Sequence, residues 1–342
     1  MSANESTSEP TSSTELPPEP TSVYEAAPAT ESEKMKQYVD SLKAKLQIVQ
    51  PEQPDQAEQH NSASASASTK QFFEERTKQY IATHNPKLYI LTPCYGGLCH
   101  VNYINKVMDT KDLLRSMGID VVIQFIRNES LITRGRNNLI AKSMSDPRMT
   151  HVLFIDSDIT WDPVSVLKLI VNDKELSGGI YPIKKYYWDR LTKENMESII
   201  ERKKLAYNKN LTETQLIYHN LLHYNFNYLE KNNHIENNMM EIYTLATGFM
   251  MIKRECINKM IAAYPKYKYT DDCGFLQGDE NKYAYALFDC AIVNDHYFSE
   301  DWMFCHRWKE IGGKIFVDIT IDLVHTGQED YSGRILSTLN IN

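Results

Sequence analysis

Residues 71–342 predict an α/β fold: a mixed, mostly parallel sheet flanked by helices. Short apolar runs of β-type residues alternate with stretches of helical periodicity, and turn residues separate the two. Such alternation buries strands between helices on both faces of a sheet. A low-complexity tail precedes it and a polar segment interrupts it.

In chain order, KLYILTP reads as a strand ending at Pro93. VNYINKVMDTKDLLRSMG follows as a helix, with Ile104, Val107, Met108, Leu114 and Met117 at helical spacing and a stop at Gly118. DVVIQFI is the second strand, a helix carries RNNLIAKSM, and HVLFID is the third strand. Asp162 and Pro163 look like the N-cap and first residue of the helix VSVLKLIV. From about 184 to 240 the chain turns polar and rich in Tyr and Asn, which predicts a helical insertion. One of its helices opens at Thr192 and another has a capping box at Thr212 and Gln215. Strands are expected again in EIYTLATGFMMI, YALFDCAIV and KIFVDIT, with a helix from about 299 to 311 that ends at Gly312 and Gly313. Residues 71–342 thus read as one domain with an embellishment.

Residues 1–70 are rich in Ser, Thr, Glu, Pro and Ala and lack the apolar content that offsets the entropy of folding, so they read as a disordered tail. Met35, Val39, Leu42, Leu46 and Val49 recur at helical spacing and predict a short helix over 33–49, transient or docked rather than a dimerisation device.

The net charge of -8 argues against a nucleic-acid partner, which usually calls for a basic stripe. No apolar run approaches the length of a membrane span, and the polar, acidic start MSANESTSEP is unlike a signal peptide. The expectation is a soluble, cytoplasmic protein. Its six cysteines lack C-x-x-C pairing, and several lie in apolar runs such as ALFDCAIV, so buried reduced thiols are expected.

HVLFIDSDITWD holds the chemistry. Asp156 and Asp158 follow an apolar strand, and in an extended chain side chains two apart share a side. Two carboxylates so placed repel each other unless a cation neutralises them. Hard ions such as Mg2+ or Mn2+ take oxygen ligands and complete their shells with substrate phosphates. The plain alternative is that Asp156 ends the strand and Asp158 caps a turn.

A strand ending in an Asp-x-Asp pair within an α/β domain resembles the nucleotide-sugar-dependent glycosyltransferases of the GT-A, Rossmann-like fold. The resemblance covers most of residues 88–327 and rests on segments in matching order: TPCYGG, FIDSD, LATGFMM, FSED and VHTG. TRGRNN and GGIYPIKK are also similar to stretches in glycosyltransferases of phages, large DNA viruses and bacteria.

The resemblance implies a nucleoside diphosphate sugar donor, a glycan or protein acceptor, and Mn2+ (or Mg2+) as cofactor. Asp156 and Asp158 would form the metal site with Ser157 between them, and His325 would complete the shell; read without the resemblance, His325 is a half-buried structural histidine. Thr92, Pro93 and Tyr95 would line the nucleoside, with Gly96 and Gly97 letting backbone approach, while Asn128 or Glu129 reaches the base edge. Arg134 and Arg136, near a helix start, would meet diphosphate or ribose; a solvated helix start is the rival reading. Gly248 would let the donor sugar lie against the main chain, with an ordinary turn glycine as its alternative. Taken locally, Ser299 with Glu300 and Asp301 looks like a helix N-terminus, with the hydroxyl capping and the acids complementing the dipole. The resemblance instead makes Asp301 the base for the acceptor hydroxyl, with Glu300 orienting the acceptor or substituting. Tyr181, Tyr186, Tyr187 and Trp188 would offer aromatic faces to an acceptor, and Lys184 and Lys185 would meet phosphate or stay solvated. A sugar nucleotidylyltransferase is the second enzyme reading, although YGGLCH lacks the basic phosphate loop of that class. A binding protein without turnover is the third.

Overall fold

The computed structural model describes residues 73–205, 208–229 and 234–329. The tail over 1–70, with the helix expected at 33–49, lies outside them. Helix α1 (73–84) leads into β1 (Lys87–Cys94), α2 (Val101–Ser116), β2 (Asp120–Arg127), α3 (Ile132–Met144) and β3 (His151–Ile155). After β4 (Ile159–Trp161) come α4 (Pro163–Asn172), β5 (Leu176–Gly178) and β6 (Pro182–Tyr186). The insertion contributes α5 (Lys193–Glu201), α6 (Glu213–Leu221), β7 (Leu222–Tyr224), β8 (Phe226–Tyr228) and β9 (Ile235–Glu236). The chain continues through β10 (Met239–Leu245), β11 (Phe249–Lys253) and α7 (Arg254–Ala263), then β12 (Ala291–Val293), β13 (His296–Phe298), α8 (Glu300–Glu310), β14 (Ile315–Asp318) and β15 (Leu323–His325).

The central sheet has the order β2-β1-β3-β11-β5-β14-β10-β8, with β9 beside β10. β1 pairs parallel with β2 and β3, and β14 pairs parallel with β5. β10 and β11 run against the rest, so the sheet is mixed and largely parallel. Parallel neighbours need a crossover, and α2 and α3 provide one on each face. All five residues of β3 are buried. Val152 and Phe154 point into the core under α3, α7 and α8, where they meet Leu139, Ile257 and Trp308. Leu153 and Ile155 point into the core under α2 and α4, against Val107 and Ile170. An apolar strand without polar alternation is the signature of such two-sided burial.

Local signals set several boundaries. Asp162 accepts from Val164 N at 2.9 Å and Pro163 opens α4. Thr192 caps α5, and Thr212 and Gln215 form the reciprocal capping box of α6. The two insertion helices bury Met196, Ile199, Leu216, Ile217 and Leu221 in a small core of their own. The end of the segment over 184–240 belongs to the main sheet, because β8 joins β10.

Other expectations need correction. EIYTLATGFMMI is two strands, split at Ala246–Gly248. Of YALFDCAIV only Ala291–Val293 is a strand, paired with β13 through a tight turn in which Asn294 and Asp295 have φ of 48° and 64°. Side chains meet the backbone of the apolar part: Asn137 donates to Phe288 O at 2.7 Å and accepts from Phe288 N at 2.9 Å. Arg307 donates to the carbonyls of Ala286 and Leu287. Earlier in the run, among the described residues, only an isolated bridge, Tyr285 to Lys268, pairs with another segment, and over 286–288 these side chains take hydrogen bonds that a strand neighbour would otherwise make. Met108 is exposed on α2, and Cys290, inside ALFDCAIV, is exposed along with Cys273. All six thiols are free, and Cys94, Cys256 and Cys305 are buried. No described helix is long and apolar enough to cross a membrane.

Candidate functional site

The carboxyl ends of β1, β2 and β3 lie side by side, and the loops beyond them enclose a cavity of about 340 Å3. Its lining includes Pro93, Tyr95, Glu129, Arg136, Asp156, Ser157, Asp158 and His325. Tyr95 stands at the rim, 82% exposed, on a 3-10 turn in which Gly96 and Gly97 have φ of 65° and 71°. A side chain at either glycine would be strained, so the turn that presents the tyrosine requires them.

Asp156 and Asp158 do not lie on an extended strand. β3 stops at Ile155, and Ser157 and Asp158 form a turn before β4. The two acids therefore face different cations. Asp156 Oδ1 accepts from Arg136 Nη2 at 3.1 Å, and Arg136 Nε reaches Glu300 Oε1 at 3.2 Å. Arg136 is 3% exposed, and its Nη1 has no hydrogen-bond partner among the described residues. Burial alone would lower its pKa, but the charges of Asp156 and Glu300 outweigh that and raise it.

Asp158 Oδ2 lies 2.5 Å from Lys184 Nζ and 3.5 Å from His325 Nε2. Burial acts to raise the Asp158 pKa, but the hydrogen bonds of His325 and Lys184 prevail and bring it to about 2. His325 reaches this position because β15 pairs with β4, with His325 opposite Ile159 and Thr326 N donating to Asp158 O at 2.9 Å. Its Nδ1 lies 2.9 Å from Pro182 O. A carbonyl only accepts, so Nδ1 carries a proton and Nε2 is the atom turned toward Asp158.

The remaining expected site residues divide. Glu129 and Arg134 are forked to each other, Nε to Oε2 at 2.8 Å and Nη2 to Oε1 at 2.7 Å. The hydrogen bond from Arg134 holds the Glu129 pKa below its usual value, although burial opposes it. That fork occupies the Arg134 guanidinium, for which diphosphate or ribose was the expected partner. Thr92 is fully buried and pairs with the Tyr103 hydroxyl, so it faces the core and not a nucleoside. Asn128 has φ 57°, backs Gly97 and lies outside the cavity wall.

Gly248 bonds through its carbonyl to Asp156 N at 3.2 Å. A Cβ there would lie 2.6 Å from the ring and hydroxyl of Tyr181, so the space expected for a donor sugar is filled by an aromatic side chain. Tyr181 in turn packs edge-on against His325, with ring centroids 5.1 Å apart. Burial and the nearby Asp156 and Asp301 push its hydroxyl pKa up.

Ser299 does not cap α8 through its side chain. Its hydroxyl donates to Asp301 Oδ1 at 2.5 Å and Trp302 N donates to the same oxygen at 2.9 Å, while Oδ2 has no hydrogen-bond partner among the described residues. Asp301 is half-buried beside the cavity, close enough for Arg136, which lines it, and Tyr181 to feel its charge.

A second cavity, of about 990 Å3, lies on the insertion side. Its walls include Lys184, Trp188, Tyr218 and Asp322, and it shares His325 with the first. Lys184 was legible in sequence only as one of two basic residues. No short-range signal marks an ion pair with a residue on another element.

No family model matches the chain, and no curated protein matches it. Similar solved structures include the crystal structure of A197 from STIV, 14% identical with a TM-score of 0.37, over 73% of this chain and 97% of that one. Another is the inositol-1-phosphate CTP transferase from T. maritima, 8% identical with a TM-score of 0.31, over 70% of this chain and 88% of that one. Likeness at this level carries no functional conclusion.

Proposed function

We propose that the protein is a metal-dependent glycosyltransferase that moves a sugar from a nucleoside diphosphate sugar to a hydroxyl acceptor, in the manner of GT-A enzymes. The single observation that carries the reading is the composition of the smaller cavity wall. It joins an exposed tyrosine after β1, a buried arginine with a free donor, and Asp158 facing His325.

Among the described residues no trio of His, Cys, Asp or Glu forms a ready metal site. Asp158 and His325 nevertheless fit one with two protein ligands. Nε2 is turned toward a carboxylate oxygen 3.5 Å away, and the Nδ1 bond to Pro182 O is the outer support that metal-binding imidazoles use. Substrate phosphates commonly complete the shell of a hard cation. Mn2+ or Mg2+ held there would neutralise the charge that grows on the leaving diphosphate.

The chain's own residues supply the rest. Tyr95 stacks on the base, and Arg136 lends positive charge to the cavity lining while fixing Asp156 and Glu300. In an inverting transfer, the acceptor oxygen forms a bond to the anomeric carbon as the carbon–phosphate-oxygen bond breaks. Asp301 Oδ2 takes the acceptor proton and the diphosphate leaves with the bonding electrons. The second cavity, lined by the insertion, is the side from which an acceptor would enter.

Incubation with a panel of sugar nucleotides and Mn2+ tests this. Release of a nucleoside diphosphate supports the reading, and Asp301→Ala should stop transfer while sparing nucleotide binding. Pyrophosphate exchange with nucleoside triphosphates instead would favour a nucleotidylyltransferase. Binding without any turnover would favour a carrier.

A further inference from the structure

One ion pair links the linings of the two cavities. Asp158 faces the smaller cavity, Lys184 faces the larger, and His325 lines both. Lys184 Nζ is 2.5 Å from Asp158 Oδ2, the same oxygen that lies 3.5 Å from His325 Nε2. The ammonium and the imidazole meet the same carboxylate oxygen, so a divalent ion bound through Oδ2 would compete with the ammonium for it. Lys184 reaches the carboxylate from β6, a strand paired among the described residues only with short β7, and its stem runs against Gly327, where a Cβ would lie 2.7 Å from Lys184 Cδ. The lysine side chain is 38% exposed. A flexible, partly solvated lysine can leave a carboxylate at low cost.

We propose that Lys184 is the resident cation of the Asp158 and His325 pair, that a divalent ion displaces it, and that the displaced ammonium then binds the diphosphate that arrives with the ion. This rests on the metal and diphosphate reading above. The argument is electrostatic. A divalent ion and an ammonium cannot share one carboxylate oxygen at contact distance without strong repulsion. An anion between them removes it, since a diphosphate has oxygens enough to meet the metal on one side and Nζ on the other. Lys184 is then a competitor of the bare ion and a partner of the ion bound to phosphate. A purely structural lysine would not act in opposite directions on these two ligands.

The test uses the full chain with Mn2+ alone, and then pyrophosphate at saturating Mn2+, both followed by calorimetry. Pyrophosphate presents the diphosphate without needing the base to be known. Lys184→Gln should bind Mn2+ alone about fivefold tighter than the parent, the factor supplied by a partly exposed ion pair near the top of its usual range. The same variant should bind pyrophosphate with Mn2+ about fivefold more weakly. Lys184→Met should repeat both changes, and Lys185→Gln, whose ammonium lies over the Tyr187 ring, should show neither. An unchanged Mn2+ affinity in both Lys184 variants overturns the displacement while leaving the metal reading intact. An unchanged pyrophosphate affinity overturns the second role of Nζ. Absence of Mn2+ binding in parent and variants alike, even with pyrophosphate, overturns the metal reading and this inference together.

Discussion

Arg136 Nη2 donates to Asp156 Oδ1 across 3.1 Å, and the same guanidinium reaches Glu300 on α8 through Nε. One buried cation thus joins the end of β3 to the start of α8 and keeps two acids from repelling each other. Replacing it with methionine keeps the stem and strands both carboxylates. Arg136→Met should cost about 3 kcal/mol in urea unfolding, the low end for breaking a buried pair because Asp156 is partly exposed. A loss below about 1 kcal/mol would show that water already satisfies the acids.

Asn137 replaces a strand for Phe288 by bonding to both its N–H and its carbonyl. Asn137→Leu is close in volume and leaves two buried backbone groups without partners. It should destabilise by about 3 kcal/mol. Equilibrium denaturation gives the value, and amide exchange at Phe288 should rise in parallel.

Gly248 and Tyr181 occupy adjoining space that a single methyl group would disturb. Gly248→Ala should lower stability by about 1–3 kcal/mol through overpacking. If the clash is with Tyr181, the combination with Tyr181→Leu should lose less than the sum of the single changes. Additive losses in a double-mutant cycle would place the strain elsewhere.

The Asp146 pKa reports on stability far from the cavity. Burial would raise it, but Lys87 at 2.6 Å, Arg148 N and the Tyr89 hydroxyl outweigh burial and bring it down to about 2. A folded value below the ordinary 3.8 means that this contribution is present above the unfolded pKa and is lost as pH falls through the folded one. Asp146→Asn should therefore be less stable than the parent near neutral pH. The gap should close between about pH 4 and about pH 2 in urea midpoints measured along the pH scale. A gap that stays constant across that window would contradict the shift.

What the sequence disclosed follows the range of the interactions. The cap at Asp162 and the capping box at Thr212 and Gln215 join residues only a few positions apart, so the sequence displays both partners. The two-sided burial of HVLFI was legible because nothing polar interrupts it. YALFDCAIV misled for the opposite reason, since Asn137 and Arg307, which meet its backbone, come from other helices. Pro93, Tyr95, Arg136, Asp156, Asp158 and His325 line one cavity. Thr92 turned into the core because its hydroxyl found Tyr103, and Arg134 turned to Glu129, a local acid whose pull the motif did not reveal. The separate cations of Asp156 and Asp158 were hidden because the turn at Ser157, not the strand, sets the directions of their side chains.

The central claim is that Asp158 and His325 hold a divalent ion which in turn holds a nucleoside diphosphate. Thermal unfolding of the parent and of Asp158→Ala, with UDP, GDP or CDP and with or without Mn2+, tests it most directly, because a ligand bound only by the folded state must raise the midpoint. The account predicts that at least one nucleotide raises the parent midpoint only when Mn2+ is present, and that Asp158→Ala abolishes the rise. No rise with any nucleotide and metal, or a rise that persists in Asp158→Ala, would contradict it.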